Sequence, residues 1–304
     1  MCGIVGLFLK NKSLEPALGD MLSRMLVTMS ARGPDSAGVA MYGAGDDDKV
    51  KLTLRVADGT SVDDLRSELL AAVTSAFDIS VRSNHVVLSI SRPDAAMVIH
   101  WLKTHRSDLE LVSVGENMEI YKEVGLPEHV VRVFGLAGMS GTHAIGHTRM
   151  ATESAVTTNG AHPFSTGEDQ CLVHNGSLSN HNAVRRTLQR EGMTFSTEND
   201  SEVAAGYLTW RMSQGASLRD SLSSSLNDLD GVFTFVVGTR NGFAVLRDPI
   251  ACKPAIMAES DDYVAFGSEY RALSVLPNIE QARVFEPEPA TVYAWEHPYC
   301  RHTI

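Results

Sequence analysis

The sequence lacks the features that mark membrane, secreted and nucleic-acid-binding proteins. It has no basic segment followed by an apolar one at its start, and no apolar run long enough to cross a bilayer. Its formal net charge of -11, with no basic run, disfavours binding to nucleic acid or to an anionic membrane. These absences predict a cytoplasmic protein that binds neither nucleic acid nor membranes.

Cysteine is scarce and widely spaced. Four cysteines at these spacings form neither a disulfide framework nor a zinc motif, so no metal site is predicted. The chain also carries no Gly-rich phosphate loop and no dinucleotide fingerprint. One cysteine is therefore available for catalysis. The four are Cys2, Cys171, Cys252 and Cys300.

Cys2 directly follows the initiator methionine. Removal of Met1 would leave Cys2 with a free α-amine, which titrates near pH 8 (about 7.7–8.0 in peptides) and can accept the thiol proton. The apolar run 4–8 predicts a buried strand that holds this terminus. The alternative interpretation is a small buried cysteine at the start of an edge strand.

Hydrophobic spacing divides the chain into two parts of one domain, separated by an insertion. A helix is predicted from Glu15 to about Ser30, followed by a strand that ends at Tyr42. The predicted insertion, 43–141, alternates strand-like and helix-like runs and indicates a small α/β subdomain. Its strand-like runs are 51–56, 85–91 and 130–134, and its helix-like runs are 62–77 and 94–105.

The segment 142–304 is predicted to form further strands and helices of the main domain. One strand runs into Arg149, and a second runs into Asn175-Gly176. Helices are predicted over 179–191, from 200 onward and over 217–229, and the rest of the segment is strand-rich. The order indicates layered sheets with helices on the outside.

Asn175 and Gly176 are candidates for stabilising the oxyanion that forms when a thiolate attacks an amide. A side-chain amide N–H and a glycine N–H at a strand end can point at one oxygen. The alternative is a hairpin turn, for which Asn-Gly is the commonest short signal.

Charged residues of the same region suit the two ends of an amino acid. Arg149 offers bidentate recognition of a carboxylate, and Asp200 offers a partner for an α-amine. The alternative for Asp200 is ordinary capping of a helix. Arg32 and Asp35 lie in a turn-rich loop that either folds over a substrate as a lid or simply ends a helix. Together these residues specify a pocket for an α-amino acid with a side-chain amide.

The order of several motifs resembles the class II glutamine amidotransferases, which are N-terminal-nucleophile hydrolases. The motifs are Met-Cys-Gly-Ile-Val-Gly, Arg-Gly-Pro-Asp-Ser-Ala-Gly, Gly-His-Thr-Arg, Asn-Gly-Ala-His-Pro-Phe, His-Asn-Gly, Asn-Asp-Ser-Glu and the later Phe-Gly-Ser-Glu. The resemblance covers about 1–42 and 142–295. It implies an α+β fold, a four-layer αββα sandwich, and hydrolysis of glutamine to glutamate and ammonia.

The resemblance also implies roles for individual residues. Cys2 is the nucleophile, Asn175 and Gly176 form the oxyanion hole, Arg149 holds the α-carboxylate and Asp200 holds the α-amine. It further implies that Arg32 belongs to a glutamine loop and that the backbone at Thr148 and Met150 lines the cleft. The family often has an aromatic residue where this chain has Met150, which leaves open a longer or alkylated amide as substrate.

No acceptor domain follows the glutaminase region, so we expect ammonia to be used by a partner synthase subunit. The chain is similar to the glutaminase subunit of glutamate-synthase-like complexes, above all that of N-methylglutamate synthase. This likeness implies no cofactor on this chain, with FMN and iron–sulfur centres on partner subunits, and the insertion as a docking surface. Two alternatives stay open: a stand-alone N-terminal-cysteine amidohydrolase acting on another amide, and a non-catalytic subunit that keeps the fold.

Overall fold

The computed structural model describes residues 2–73, 75–151 and 156–297. Within them the strands are β1 (Gly3–Leu9), β2 (Ser36–Tyr42), β3 (Lys49–Val56), β4 (Asp78–Arg82), β5 (His85–Ser91), β6 (Leu109–Gly115), β7 (Met118–Val124), β8 (His143–Arg149), β9 (Phe164–Gly167), β10 (Gln170–Leu178), β11 (Gly231–Thr239), β12 (Gly242–Arg247), β13 (Ile256–Glu259), β14 (Tyr263–Gly267), β15 (Arg283–Phe285) and β16 (Val292–Glu296). The α-helices are α1 (Leu18–Val27), α2 (Val62–Ala72), α3 (Ala95–His105), α4 (Pro127–Phe134), α5 (His181–Arg190), α6 (Asp200–Ser213), α7 (Leu218–Asp228) and α8 (Tyr270–Leu273).

The larger sheet has seven strands in the order β15-β13-β14-β1-β8-β2-β7. β1 lies near its centre and pairs antiparallel with β14 on one side and β8 on the other. Every residue of β1 is buried, because α1 covers one face of the sheet and a second sheet covers the other. An all-apolar strand fits a position that is covered on both faces.

The second sheet has five strands in the order β16-β12-β11-β10-β9. Its inner face packs on the larger sheet, where Val173 and Val236 share a core with Ile4 and Phe8. Its outer face is covered by α5, α6 and α7. The layers are thus helix, sheet, sheet and helix, and the predicted αββα sandwich is confirmed.

A third sheet, with the strand order β4-β5-β3-β6, lies within the predicted insertion. α2 and α3 cover one face of it around a separate apolar core. β7, however, pairs with β2 in the seven-stranded sheet, so the chain re-enters that sheet before position 142. The predicted domain boundaries themselves stay a prediction.

The strand predicted over 130–134 is wrong, because these residues form the second half of α4. Pro127 occupies the first turn and Gly135 ends the helix with a left-handed φ of 63°, which is a usual pair of start and stop signals. The buried residues Val130 and Phe134 are four apart, so they share one helix face that packs on the larger sheet. Across the described ranges, the helices are all too short or too polar to span a bilayer.

Candidate active site

Cys2 is half-buried and lies immediately before β1. The backbone N–H of Ile4 donates to Ser268 Oγ at 2.9 Å, and the N–H of Ser268 donates to the Ile4 carbonyl at 2.9 Å. These two bonds continue the pairing of β1 beyond the end of β14 and fix the backbone next to Cys2. Met1 lies outside the described residues, so its predicted removal stays a prediction.

A cavity of about 700 Å³ opens beside Cys2. It brings together six of the eight residues predicted for the site, although they come from four separate parts of the chain. They are Cys2, Arg149, Met150, Asn175, Gly176 and Asp200. Arg32 and Thr148 lie near the site but do not line the cavity.

Asn175 and Gly176 lie inside β10, opposite Thr234 and Phe233 of β11, so the hairpin interpretation is wrong. The side-chain amide of Asn175 points at Cys2, with Nδ2 3.5 Å from the Cys2 carbonyl oxygen. Gly176 has a φ of 154°, and a Cβ there would lie 1.9 Å from the carbonyl oxygen of Val232. Only glycine fits this position.

Arg149 ends β8, where it is 6% exposed. The loop that follows β8 returns to it: a Cβ on Gly160 would lie 3.1 Å from Arg149 Nη1. Asp35 holds the backbone on either side of Met150, because its N–H donates to the Arg149 carbonyl at 3.1 Å and its Oδ2 accepts from the N–H of Ala151 at 2.8 Å. The backbone that carries Arg149 is therefore held, and the residue lines one wall of the cavity.

Asp200 is the first residue of α6, but Asn199 caps the helix by accepting from the N–H of Ser201 at 2.9 Å. The capping interpretation of Asp200 is therefore wrong. Its Oδ2 accepts from the N–H of Leu178 at 2.9 Å, and its Oδ1 lies 3.8 Å from His174 Nδ1. This leaves a carboxylate at the cavity wall, fixed by its neighbours, where it can bind a cation.

Arg32 is placed behind the cavity. Its Nε donates to the Cys2 carbonyl at 3.0 Å and its Nη1 lies 2.5 Å from Glu269 Oε1. Thr148 pairs with Gly3 across the sheet, and its Oγ1 donates to the Met29 carbonyl at 3.3 Å, on the α1 side. The side chain of Arg32 thus contacts the backbone of Cys2, which the lid hypothesis did not anticipate.

Three buried histidines were not predicted as part of the site. The rings of His147 and His162 stack with centroids 4.0 Å apart, and His174 Nδ1 lies 2.9 Å from Ser201 Oγ. Burial lowers the pKa of all three, that of His147 to about 3, so they are neutral at pH 7. The sequence does offer a signal for these histidines, because each lies inside one of the motifs quoted above. They occur there as Gly146-His147, Ala161-His162 and His174-Asn175.

His162 and His174 line the cavity, whereas His147 lies behind them. Because these histidines are neutral, they add no positive charge to that of Arg149 and Lys253, which also line the cavity. Within residues 2–73, 75–151 and 156–297, no group of three or more His, Cys, Asp or Glu side chains is arranged to hold a metal ion.

The two stacked sheets with outer helices and a cysteine at the start of a central strand define an N-terminal-nucleophile class of fold. The model of the glutamine amidotransferase domain family matches residues 147–275. The glutamine amidotransferase-like protein GlxB of Rhizobium meliloti is 60% identical over 299 residues, which cover 98% of this chain and 99% of that protein. The chain belongs to the glutamine amidotransferase family.

Solved structures of about twice this length share the fold. One, described as the allosteric regulatory enzyme of purine biosynthesis, superposes with a TM-score of 0.62 at 20% identity, over 97% of this chain and 47% of that one. Another, the glutamine phosphoribosylpyrophosphate amidotransferase of B. subtilis, gives a TM-score of 0.59 at 20% identity, over 97% of this chain and 49% of that one. At this identity the likeness establishes the sandwich architecture alone.

Proposed function

We propose that the chain is a glutaminase subunit that hydrolyses the side-chain amide of glutamine and passes the ammonia to a partner synthase subunit. The observation that carries the proposal is one cavity lined by a cysteine thiol, an amide donor, a guanidinium and a carboxylate. Arg149 and Asp200 supply opposite charges for the α-carboxylate and α-amine of an amino acid. Cys2 and Asn175 supply a nucleophile and an oxyanion donor for its side chain.

The reaction proceeds through a thioester. After loss of Met1, the α-amine of Cys2 takes the thiol proton, and the sulfur attacks the amide carbon of glutamine. The oxyanion is stabilised by Asn175 Nδ2 and the N–H of Gly176. The carbon–nitrogen bond breaks as the α-ammonium returns the proton, which releases ammonia. Water then cleaves the thioester to give glutamate and the free thiol.

The proposed partners are the other subunits of a glutamate-synthase-like complex or of an N-methylglutamate synthase, with FMN and iron–sulfur centres on those subunits. The third sheet supports a docking role for the insertion, since it forms its own core and presents exposed apolar residues on its helices. These are Leu70 on α2, 66% exposed, and Met97 on α3, 44% exposed. A contiguous exposed apolar patch marks an interaction surface, so the docking role requires Leu70 and Met97 to belong to one patch.

Intact-mass analysis tests the nucleophile. The purified chain is treated with diazo-oxo-norleucine, an electrophilic analogue of glutamine, and its mass is compared before and after. We expect loss of Met1 and a single adduct, which the Cys2→Ala variant does not form. Cys252→Ala is the matched control, because Cys252 is the exposed cysteine of the described residues and its loss leaves the adduct unchanged. A chain that retains Met1 and forms no adduct would contradict the proposal.

The substrate and the partner need separate measurements. Steady ammonia release from glutamine supports the glutaminase, whereas turnover of another amide only would support the stand-alone amidohydrolase. In the complex, Cys2→Ala should abolish glutamine-dependent synthesis and leave ammonia-dependent synthesis intact. Loss of both activities would contradict the division of labour between subunits.

A further inference from the structure

Lys122 is a buried lysine that belongs to no motif and lines no part of the cavity. It lies on β7 and is 5% exposed. Its Nζ donates to the carbonyls of Asn159 at 3.2 Å and Ala161 at 3.1 Å, and lies 5.1 Å from the ring centroid of Phe164. Burial lowers the pKa of Lys122 to about 8, so the ammonium keeps its charge at pH 7. A buried ammonium is costly unless its donors are satisfied, and here both acceptors come from one loop.

The neighbouring residue of β7 holds the same loop from its other side. Glu123 Oε1 accepts from Thr158 Oγ1 at 2.6 Å, and its Oε2 accepts from the side chain of Asn84 in the β4–β5 turn. Two consecutive strand residues point to opposite faces of a sheet, so Lys122 and Glu123 contact separate parts of the segment 158–161. This loop is therefore fixed to β7 at three of its four residues.

The fourth residue of the segment, Gly160, lies beside the guanidinium of Arg149, which is the group proposed to bind the substrate. It lines the cavity, and the space where its Cβ would be is 3.1 Å from Arg149 Nη1. Lys122 binds the carbonyls on either side of Gly160, so it fixes the distance between that backbone and Arg149. Movement of the loop towards Arg149 would push the guanidinium into the cavity. Movement away would remove the backbone that packs beside it.

We propose that Lys122 is a positioning residue for substrate binding, which holds the loop 158–161 against Arg149 and so fixes the guanidinium that receives the α-carboxylate. The inference rests on the proposed function, since it takes Arg149 as the carboxylate partner. It predicts an effect on KM for glutamine rather than on kcat, because neither Cys2 nor Asn175 contacts Lys122.

The test compares Lys122→Met with the wild-type chain in steady-state ammonia release from glutamine. We expect KM to rise about tenfold with kcat within about twofold, as misplacement of a substrate-positioning group predicts. Lys51→Met is the matched control, because Lys51 is a half-buried lysine on the third sheet that likewise has a fixed partner, Glu119 at 2.9 Å. Its KM should not change.

Thr158→Val provides a second variant that keeps the volume of the side chain and removes only the bond to Glu123. It should raise KM in the same direction, and the thermal midpoint of each variant is measured to establish that the protein assayed is folded. An unchanged KM in folded Lys122→Met, or an equal rise in Lys51→Met, overturns the inference. A wild-type chain that releases no ammonia contradicts the proposed function instead, so the two failures are distinguishable.

Discussion

The guanidinium Nε of Arg32 lies 3.0 Å from the carbonyl oxygen of Cys2. The same side chain is clamped by Glu269, 2.5 Å from Nη1, and Glu269 is in turn bound by Arg271 at 2.6 Å. Charge-assisted hydrogen bonds of this kind are short and orient both partners. The backbone of Cys2 is thus held by a chain of ion pairs that begins in the segment after β14.

Arg32→Met should lower kcat for ammonia release, because the variant removes the hydrogen bond to the Cys2 carbonyl and the thiol is then less precisely positioned. A displacement of about 1 Å in a reacting group costs roughly a hundredfold, so we expect a loss of about ten- to a hundredfold. KM for glutamine should change little, because Arg32 does not line the cavity. Steady-state kinetics at saturating glutamine measure this.

Arg24→Met is the control for the loss of an arginine, since Arg24 is exposed and its ion-pair partner among the described residues is Asp20, one turn away on α1. Its kinetics should match the wild type. A rise in KM with unchanged kcat in Arg32→Met would instead support the role that the family resemblance implies, in a loop that covers glutamine.

Those parts of the fold that depend on local chemistry were predictable from the sequence. α7 begins where predicted because Ser217 caps it, its Oγ accepting from the N–H of Asp220 at 3.1 Å. The strand around Val5 was predictable from a continuous apolar run. The site residues that line the cavity were predictable because each lies in or next to a short motif whose residue types suit the binding or cleavage of an amide.

Features that depend on distant partners could not be predicted. Arg32 reaches Glu269, 237 residues away in the chain, and no local pattern indicates that contact. Asn175 and Gly176 carry a turn signal, yet pairing with β11 keeps them in an extended strand. No local pattern indicates that Lys122 is buried, because the loop from Asn159 onward covers it only in the folded chain.

Gly176→Ala should destabilise the protein and abolish ammonia release. The φ of 154° strains any residue with a Cβ, and the new methyl would meet the Val232 carbonyl oxygen at 1.9 Å. Gly192→Ala separates the two effects, because Gly192 has a φ of 90° with nothing within 4 Å. Urea unfolding should show a loss of about 1–3 kcal/mol from strain alone at Gly192, and a larger loss at Gly176. Equal losses would contradict the steric account.

Acid should destabilise the fold through its buried histidines. Burial lowers the pKa of His147 to about 3, whereas a histidine in the unfolded chain titrates at about 6.5. Between these values the unfolded chain binds a proton that the native protein excludes. The contribution of His147 to the free energy of unfolding is therefore constant above about pH 6.5. Below about pH 6.5 the free energy of unfolding falls by up to about 1.4 kcal/mol for each pH unit.

His147→Phe removes that proton and keeps a ring to stack on His162. Urea unfolding between pH 7 and pH 4 should give a slope shallower by about one proton than that of the wild type. The charged or titratable neighbours of His147 are His162, His174 and Arg149. His174 and Arg149 oppose a positive charge on His147, and His162 is itself buried beside it. His100→Phe, at an exposed position on α3, should leave the slope unchanged; the same flattening there would rule out burial as the cause.

Asp35 is expected to act on KM through the backbone that it holds. Its Oδ2 accepts from the N–H of Ala151 at 2.8 Å, so Asp35→Ala should free the segment that carries Arg149 and Met150 and raise KM for glutamine about tenfold. Asp35→Asn keeps an acceptor oxygen at the same place and should retain most of the wild-type affinity. Isothermal titration of glutamate into the Cys2→Ala background measures binding apart from turnover. If Asp35→Asn weakens binding as much as Asp35→Ala does, the charge of Asp35 rather than its hydrogen bond governs the site.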